Sequence, residues 1–188
     1  MSVLIDLHIM HLRAAGRAEN TIKDRRRLLI DADRVLPYGV DTATAEELAG
    51  YLANPAYGPW TKITYYRHFA SFYRWAAAGM HPHISFNPCD DLTRPRSPDC
   101  VPHPATEDQL RIALERSPQN WATAVRLAAY AGLRASEVQR IRREDVAQDY
   151  LKIWHGKGDR TASVPTHPEI WRAVEDRPVG LLVTRRDG

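Results

Sequence analysis

The stretch AAYAGLRASEVQRIRREDV, residues 128–146, carries the strongest structural signal in the sequence. Gly132 is placed to end one helix, because glycine adopts the left-handed backbone conformation that closes helices at little cost. Arg134 follows at the turn into the next helix, with Glu137 one turn later. The spacing predicts a helix from Arg134 to about Arg142, and a guanidinium held beside a carboxylate at its start.

An arginine at such a junction has two interpretations. A guanidinium held by Glu137 can grip a phosphate through paired hydrogen bonds, since its donors match phosphate oxygens. The same pair can also be a purely structural ion pair, and structural pairs are the commoner kind. The residue types alone leave both open for Arg134 and Glu137.

Working outward, short β-prone runs follow this motif. LKIW and TASVP (residues 151–154 and 161–165) stand on either side of Gly156-Lys157-Gly158-Asp159. Glycines between two such runs are typical of hairpin turns. The sequence predicts a β-hairpin with Lys157 in its connection.

A proline-rich segment precedes the motif. Residues 93–104, TRPRSPDCVPHP, contain four prolines, which disfavour helices and central strands. We expect an extended linker there, a helical domain over residues 1–92 and an α+β domain over residues 105–188. In the second domain, a capping box at Thr106 starts one helix, and Ser117-Pro118 is expected to cap another ending at Ala131.

The first ninety residues show helical periodicity and no alternating strand pattern. Four helices are expected: residues 3–15, a helix from an Asn20 or Thr21 cap to about Leu36, a helix from a Thr44 capping box to near Ala53, and one from Trp60 to Ala78. The fold class is therefore mainly α, with one small β-hairpin.

Charge is unevenly distributed over the chain. The formal net charge is +3. Residues 1–92 hold ten Lys/Arg against ten Asp/Glu, whereas residues 93–188 hold sixteen against thirteen. Total charge is thus weak evidence for a nucleic-acid partner, and the positions of the charges matter more. The apolar runs are too short for a bilayer span, and neither of the two cysteines has a partner at metal-ligand spacing, so we expect no membrane span and no cysteine-bound metal.

The fourth predicted helix has one face without carboxylates. No Asp or Glu occurs between Pro55 and Pro88. One side of the helix gathers apolar residues for burial: Ile63, Tyr66, Phe69, Ala70, Tyr73 and Ala77. The other side carries basic and hydroxyl residues flanked by Trp60 and Trp75, and the second helix adds a basic stripe. The candidate DNA contacts are Lys23, Arg27, Arg34, Lys62, Thr64, Arg67, His68, Ser71 and Arg74.

Such a face supplies donors for phosphate oxygens and arginine forks for guanine edges. A merely basic, solvated helix face gives the same pattern, and this stretch alone does not decide between the two.

In combination, the motifs resemble one family. A-G-L-R-x-S-E followed by R-x-x-D-V resembles the first catalytic arginine motif of tyrosine recombinases (phage integrases), and IWHGKGDRTASVP resembles their β-hairpin. NTIKDRR, TATAEEL, TKITYYRHFASFYRWAAAG and PHPATEDQLRIAL are similar to segments of the SAM-like core-binding domain and the start of the catalytic domain. The resemblance covers essentially the whole chain, in the family's order.

The resemblance implies a metal-free, cofactor-free strand exchange through a 3′-phosphotyrosine link. By motif match, Arg134 grips the phosphate, Glu137 orients the site, and Lys157 donates a proton to the leaving 5′-oxygen. It also implies double-stranded DNA as partner, self-association as a tetramer on DNA, and a cytoplasmic, nucleoid-associated location in a bacterium or phage-infected cell.

The chain departs from the family in one respect. The family's His-x-x-Arg pair and its nucleophilic tyrosine follow the lysine, but all eight tyrosines here precede Lys157 and no His-x-x-Arg occurs. We therefore expect a truncated catalytic domain with no nucleophile in these 188 residues. The alternative is a non-catalytic DNA-binding protein that occupies recombination sites or modulates a full-length recombinase.

Overall fold

The computed structural model describes residues 2–80, 82–154 and 161–184. The chain divides into two compact units, Met1–Val101 and Pro102–Gly188. Each unit has its own hydrophobic core. Residues 93–106, which join the first unit to the first helix of the second, form neither helix nor strand.

Among the residues that the structure describes, the first unit contains four helices, as predicted. They are α1 (Val3–Ala14), α2 (Glu19–Val35), α3 (Ala45–Leu52) and α4 (Pro59–Ala76). The Thr44 capping box is confirmed, because the Thr44 hydroxyl accepts from the Glu47 backbone N–H and the Glu47 carboxylate accepts from the Thr44 N–H. The expected cap at Asn20 or Thr21 is wrong. Helix α2 begins one residue before them, with Ala18 at its N-cap and no side-chain cap.

The core of the first unit is built around α4. Phe69, Phe72 and Tyr73 are at most 1% exposed and pack among apolar residues of α1, α2 and α3. The Tyr73 hydroxyl donates to the Val40 carbonyl at 2.9 Å.

Of the apolar face predicted for this helix, Ile63, Phe69 and Tyr73 are fully buried, whereas Tyr66, Ala70 and Ala77 are only half-buried. Phe72 and Ala76 complete the buried face and were not predicted.

The second unit combines helices with a two-stranded sheet. Its elements are α5 (Glu107–Arg116), α6 (Gln119–Ala131), α7 (Ala135–Val138), a 3-10 turn (Arg143–Asp145), β1 (Tyr150–Ile153), β2 (Ala162–Pro165) and α8 (Pro168–Val174). The strands pair antiparallel, with Tyr150 opposite Pro165 and Ile153 opposite Ala162. Their pairing confirms the predicted hairpin, although its connection, including Lys157, lies outside the described residues.

Two local predictions for this unit are wrong. Helix α7 ends at Val138 instead of continuing to Arg142, because the backbone beyond it pairs with a distant segment: Leu182 donates to Ile141, and Arg143 donates to Gly180. Ser117 does not cap α6. It ends α5, and Pro118 occupies the N-cap position of α6 without a side-chain cap.

A buried histidine lies in the first core. His8 is 1% exposed, and neither of its ring nitrogens has a hydrogen-bond partner among the described residues. Its ring lies 4.8 Å from the ring of Trp75 and 5.4 Å from that of Phe72, measured between centroids. Burial, assisted by the nearby charge of Arg25 and by His11, lowers the pKa of His8 to about 4. The ring is therefore neutral at pH 7.

This histidine makes the stability of the first unit depend on pH. The unfolded chain takes up the proton at the ordinary pKa of 6.5, but the folded chain does so only near 4. The free energy of unfolding should therefore fall by roughly 2–3 kcal/mol as the pH drops from about 6.5 to about 4. In the His8→Leu variant the part of that loss due to His8 should disappear, while the contribution of His68, whose pKa is also lowered by burial, remains. Urea unfolding of the full chain, followed through the amide signals of α1 and α4, measures the difference.

The matched control is His103→Ala, which removes an exposed histidine from the segment between the units. It should keep the wild-type dependence on pH. Equal pH slopes for wild type and His8→Leu would contradict the assignment.

Candidate functional site

The candidate DNA contacts lie on the outer faces of α2 and α4. Six of them are exposed: Lys23, Arg27, Arg34, Thr64, Arg67 and Arg74. Three are half-buried: Lys62, His68 and Ser71. The core described above leaves these side chains on the surface because it buries the opposite faces of the same two helices.

Two clefts show which of these residues come together. Lys23, Arg27 and Arg34 line one shallow cleft of about 360 Å³ along α2. Arg27 also lines a second cleft of about 370 Å³, together with Thr64 and His68 of α4. The two helices therefore contribute to one continuous surface, with Arg27 shared between its two parts.

The sequence of α4 alone suggests a surface without acidic residues, but the surface does contain them. Asp24 and Asp31 of α2 line the second cleft beside Arg27. The Asp31 carboxylate accepts a 2.6 Å hydrogen bond from the Tyr51 hydroxyl of α3. The absence of carboxylates thus holds for α4 and not for the joint surface, because α2 contributes Asp24 to one cleft and Asp31, like Arg27, to both.

Arg25 is a further residue at this surface that the sequence did not predict. Its Nε donates to His68 Nδ1 at 3.2 Å, and its Nη1 donates to Ser71 Oγ at 2.7 Å. Two of the predicted DNA contacts on α4 are therefore held by a side chain of α2. No sequence signal separates Arg25 from its neighbours in the run Arg25-Arg26-Arg27, because the contact depends on how the two helices pack.

The two tryptophans expected to flank the face differ in position. Trp60 is exposed. Trp75 is half-buried, with its ring centroid 4.8 Å from His8 and 4.9 Å from His83. Trp75 therefore belongs to the edge of the core and does not flank an open surface, which corrects the sequence prediction.

In the second unit, Arg134 lies at the start of α7, as predicted. Gly132 ends α6 with a left-handed φ of +65°, and Arg134 occupies the N-cap position of α7. The Glu137 carboxylate accepts from the Arg134 backbone N–H at 2.8 Å and from its Nη1 at 3.1 Å. One carboxylate thus caps the helix and orients the guanidinium.

Glu137 and Arg134 differ in how far their side chains are exposed to solvent. The Glu137 side chain is 6% exposed, whereas the Arg134 side chain is 63% exposed. The backbone N–H of Arg134, with help from its guanidinium, lowers the pKa of Glu137. Among the described residues, Nε and Nη2 of Arg134 have no hydrogen-bond partner, so these donors are available to a ligand oxygen.

A small cavity of about 160 Å³ borders the same carboxylate. Its lining includes Glu137, Arg140, Lys152 and Trp154. Lys152 Nζ lies 5.7 Å from the ring centroid of Tyr150 and 5.8 Å from that of Trp154. Sequence reasoning missed Arg140 and Lys152, although the alternation of β1 could have placed Lys152 on its exposed face.

Within the described residues, no cluster of three His, Cys, Asp or Glu side chains is arranged to hold a metal ion. In the same part of the chain, no helix has both the length and the hydropathy that crossing a bilayer requires.

Solved integrases have similar folds. A lambda integrase tetramer bound to a Holliday junction gives a TM-score of 0.72 at 20% identity, over 89% of this chain and 49% of that one. A lambda integrase dimer bound to a COC′ core site gives 0.70 at 20% identity, over 87% and 59%. The Tn1549 transposon integrase in complex with circular intermediate DNA gives 0.62 at 16% identity, over 95% and 66%.

These likenesses concern the fold. A mainly helical unit followed by helices and a small antiparallel sheet is the architecture of those integrases, as the sequence predicts. The chain spans 49% to 66% of the length of these solved chains. No family model matches the sequence, and no curated protein matches it.

The Arg134–Glu137 contact should stabilise the second unit. Replacing Glu137 by Ala removes the acceptor of a backbone N–H and of a guanidinium, which should lower the free energy of unfolding by about 1–3 kcal/mol at pH 7. Because the folded-state pKa of Glu137 is lowered, this difference should be present above the ordinary glutamate pKa and shrink as the carboxylate is protonated. Urea unfolding at several pH values measures it.

Glu115→Ala is the matched control. It breaks an exposed ion pair between Arg111 and Glu115 on α5, which should change stability by less than about 1 kcal/mol. If Glu137→Ala were no more destabilising than Glu115→Ala, the capping role would be refuted.

Proposed function

We propose that this chain, with its integrase fold, belongs to the tyrosine recombinases and forms the DNA-binding part of a site-specific recombination or integration enzyme. The observation that carries the proposal is the α2–α4 surface of the first unit. On an integrase fold, this surface joins a basic stripe on α2 to donor side chains on a carboxylate-free α4. We propose that it binds double-stranded DNA.

The surface suits a phosphate backbone for physical reasons. Exposed Arg67 and Arg74 lie on the same face of α4, because their spacing of seven residues is close to two helical turns. Lysine and arginine at such positions neutralise phosphates and release counterions, so they supply salt-dependent affinity. Thr64 adds a hydroxyl for positioning contacts. Asp24 and Asp31 line the clefts beside these cations and reduce the net positive charge there.

In the second unit, we propose that Arg134 grips the phosphate at which strands are exchanged. Its exposed guanidinium keeps two nitrogens available, while the buried Glu137 carboxylate holds the third. A preorganised cation stabilises the charge that develops on a phosphate in the transition state. Lys157, outside the described residues, is proposed as the proton donor to the leaving 5′-oxygen, as its motif implies.

The proposal assigns binding, and not cleavage, to these 188 residues by themselves. They contain no His-x-x-Arg pair and no tyrosine after Lys157. The complete recombinase would self-associate on DNA, in the way that lambda integrase forms a tetramer on a Holliday junction. A covalent complex between this chain and a nicked duplex, stable to denaturant, would contradict the assignment.

Removing two cations from the α4 face tests the proposed DNA interface. The double variant Arg67→Ala/Arg74→Ala should bind a short fluorescent duplex at least tenfold more weakly at low salt, and the slope of log K against log salt should fall by about 2. Fluorescence anisotropy across a salt titration measures both quantities.

Arg111→Ala/Arg116→Ala is the matched control, since it removes the same charge from exposed positions of α5. It should change affinity far less. Unchanged affinity and slope in the α4 variant, or equal losses in both variants, would refute the interface.

A further inference from the structure

Arg25 joins two residues of the proposed DNA surface to another helix. Its side chain is half-buried between α2 and α4, with Nε on His68 and Nη1 on Ser71. Among the described residues, no acidic side chain makes a hydrogen bond or an ion pair with its guanidinium. Buried arginines are usually paired with a carboxylate, but this one donates to two neutral acceptors instead. The effect of Arg25 on His68 and Ser71 therefore matters.

The hydrogen bond to His68 determines where that ring carries its proton. An arginine Nε–H can only donate, so Nδ1 of His68 must present its lone pair. The proton of the neutral ring is then on Nε2, since the bond at one nitrogen sets the tautomer at the other. Nε2 has no hydrogen-bond partner in the described part of the chain. It is not one of the fully buried atoms there, so solvent reaches it.

The ring of His68 is also uncharged at neutral pH. Burial and the positive charge of Arg25 lower its pKa, while Asp24 acts in the opposite direction. His68 lines the open cleft beside Arg27 and Thr64. It therefore offers one N–H donor, without charge, next to a cation and a hydroxyl.

Ser71 is affected in the same way. Its Oγ accepts from Arg25 at 2.7 Å, and its hydroxyl hydrogen makes no hydrogen bond to another described residue. A hydroxyl that accepts on one side keeps its own hydrogen to donate. Arg25 thus leaves both α4 side chains with a free donor.

We infer that Arg25 is a positioning residue of the DNA interface, which fixes His68 and Ser71 as neutral hydrogen-bond donors toward acceptors on DNA. The acceptors that fit are phosphate oxygens and the N7 and O6 atoms of guanine. The DNA part of this inference rests on the proposed function. The placement of the His68 proton does not.

Positioning and simple charge attraction predict different results for Arg25→Lys. Lysine keeps the charge but cannot supply two donors in the planar fork that reaches both acceptors. If Arg25 acts through positioning, this variant should bind DNA about fivefold to tenfold more weakly with a nearly unchanged salt slope. If Arg25 acts through charge, the variant should bind like wild type, and that result would overturn the inference.

Two further variants complete the binding experiment, again with a short fluorescent duplex. His68→Ala/Ser71→Ala should lose about as much affinity as Arg25→Lys, and adding Arg25→Lys to it should cost little more, because coupled residues are not additive. Arg26→Met is the matched charge control. It removes a neighbouring cation that contacts Asp6 and not α4, so it should lower the salt slope without this coupling. Fully additive losses would count against positioning.

The proton on His68 is observed directly by NMR of the imidazole nitrogens in the full chain without DNA. Wild type should show the Nε2–H tautomer, and Arg25→Met should show a mixture with the Nδ1–H form. An Nδ1–H tautomer in wild type, or an unchanged tautomer in Arg25→Met, would overturn the inference. If this signature is found but wild type binds no duplex, the proposed function fails while the role of Arg25 toward His68 stands.

Discussion

Burial of one face of α4 determines which residues the first unit presents to solvent. Phe69, Phe72 and Tyr73 are removed from water almost completely, and the hydrophobic effect makes rotation of the helix about its axis costly. The hydrogen bond from the Tyr73 hydroxyl to Val40 fixes the helix further. The positions of Arg67 and Arg74 on the outside follow from that burial. The candidate DNA surface is thus a consequence of the core.

In the second unit, a single contact stabilises a helix and orients the arginine that we propose to bind phosphate. Glu137 caps α7 through the backbone N–H of Arg134 and holds one nitrogen of its guanidinium. The backbone hydrogen bond of the cap fixes the position of the Glu137 carboxylate, and this carboxylate in turn restricts the position of the guanidinium. The left-handed Gly132 places this turn directly after α6. An arginine that must meet a phosphate at a defined position benefits from such an anchor.

Among signals that act over three or four residues, the capping boxes and the glycine stop were predictable, whereas the single-residue caps at Asn20 or Thr21 and at Ser117 were wrong. The capping boxes at Thr44 and Thr106 and the glycine stop at Gly132 are all confirmed. Contacts between distant segments were not. Helix α7 ends early because residues 141–143 pair with residues 180–182, and no local pattern announces that pairing.

The α2–α4 surface was also predictable only in part. Helical periodicity correctly placed Arg27 and Arg34 of α2 and Arg67 and Arg74 of α4 on exposed faces. Among the described α4 residues predicted to contact DNA, only Thr64 and His68 line a cleft together with α2. The periodicity missed Arg25, whose contacts depend on how the two helices pack. It also missed Asp24 and Asp31, which line the clefts beside the cations. The roles of the individual residues in binding and strand exchange stay predictions.

The most direct test of the account is to follow the backbone amide NMR signals of the full chain while a short DNA duplex is added. The account predicts that the largest shifts fall on residues 23–34 and 62–74, and that residues 45–49 of α3 change little. Shifts centred elsewhere in the first unit, or no shifts at low salt, would contradict the claim that the α2–α4 surface binds DNA.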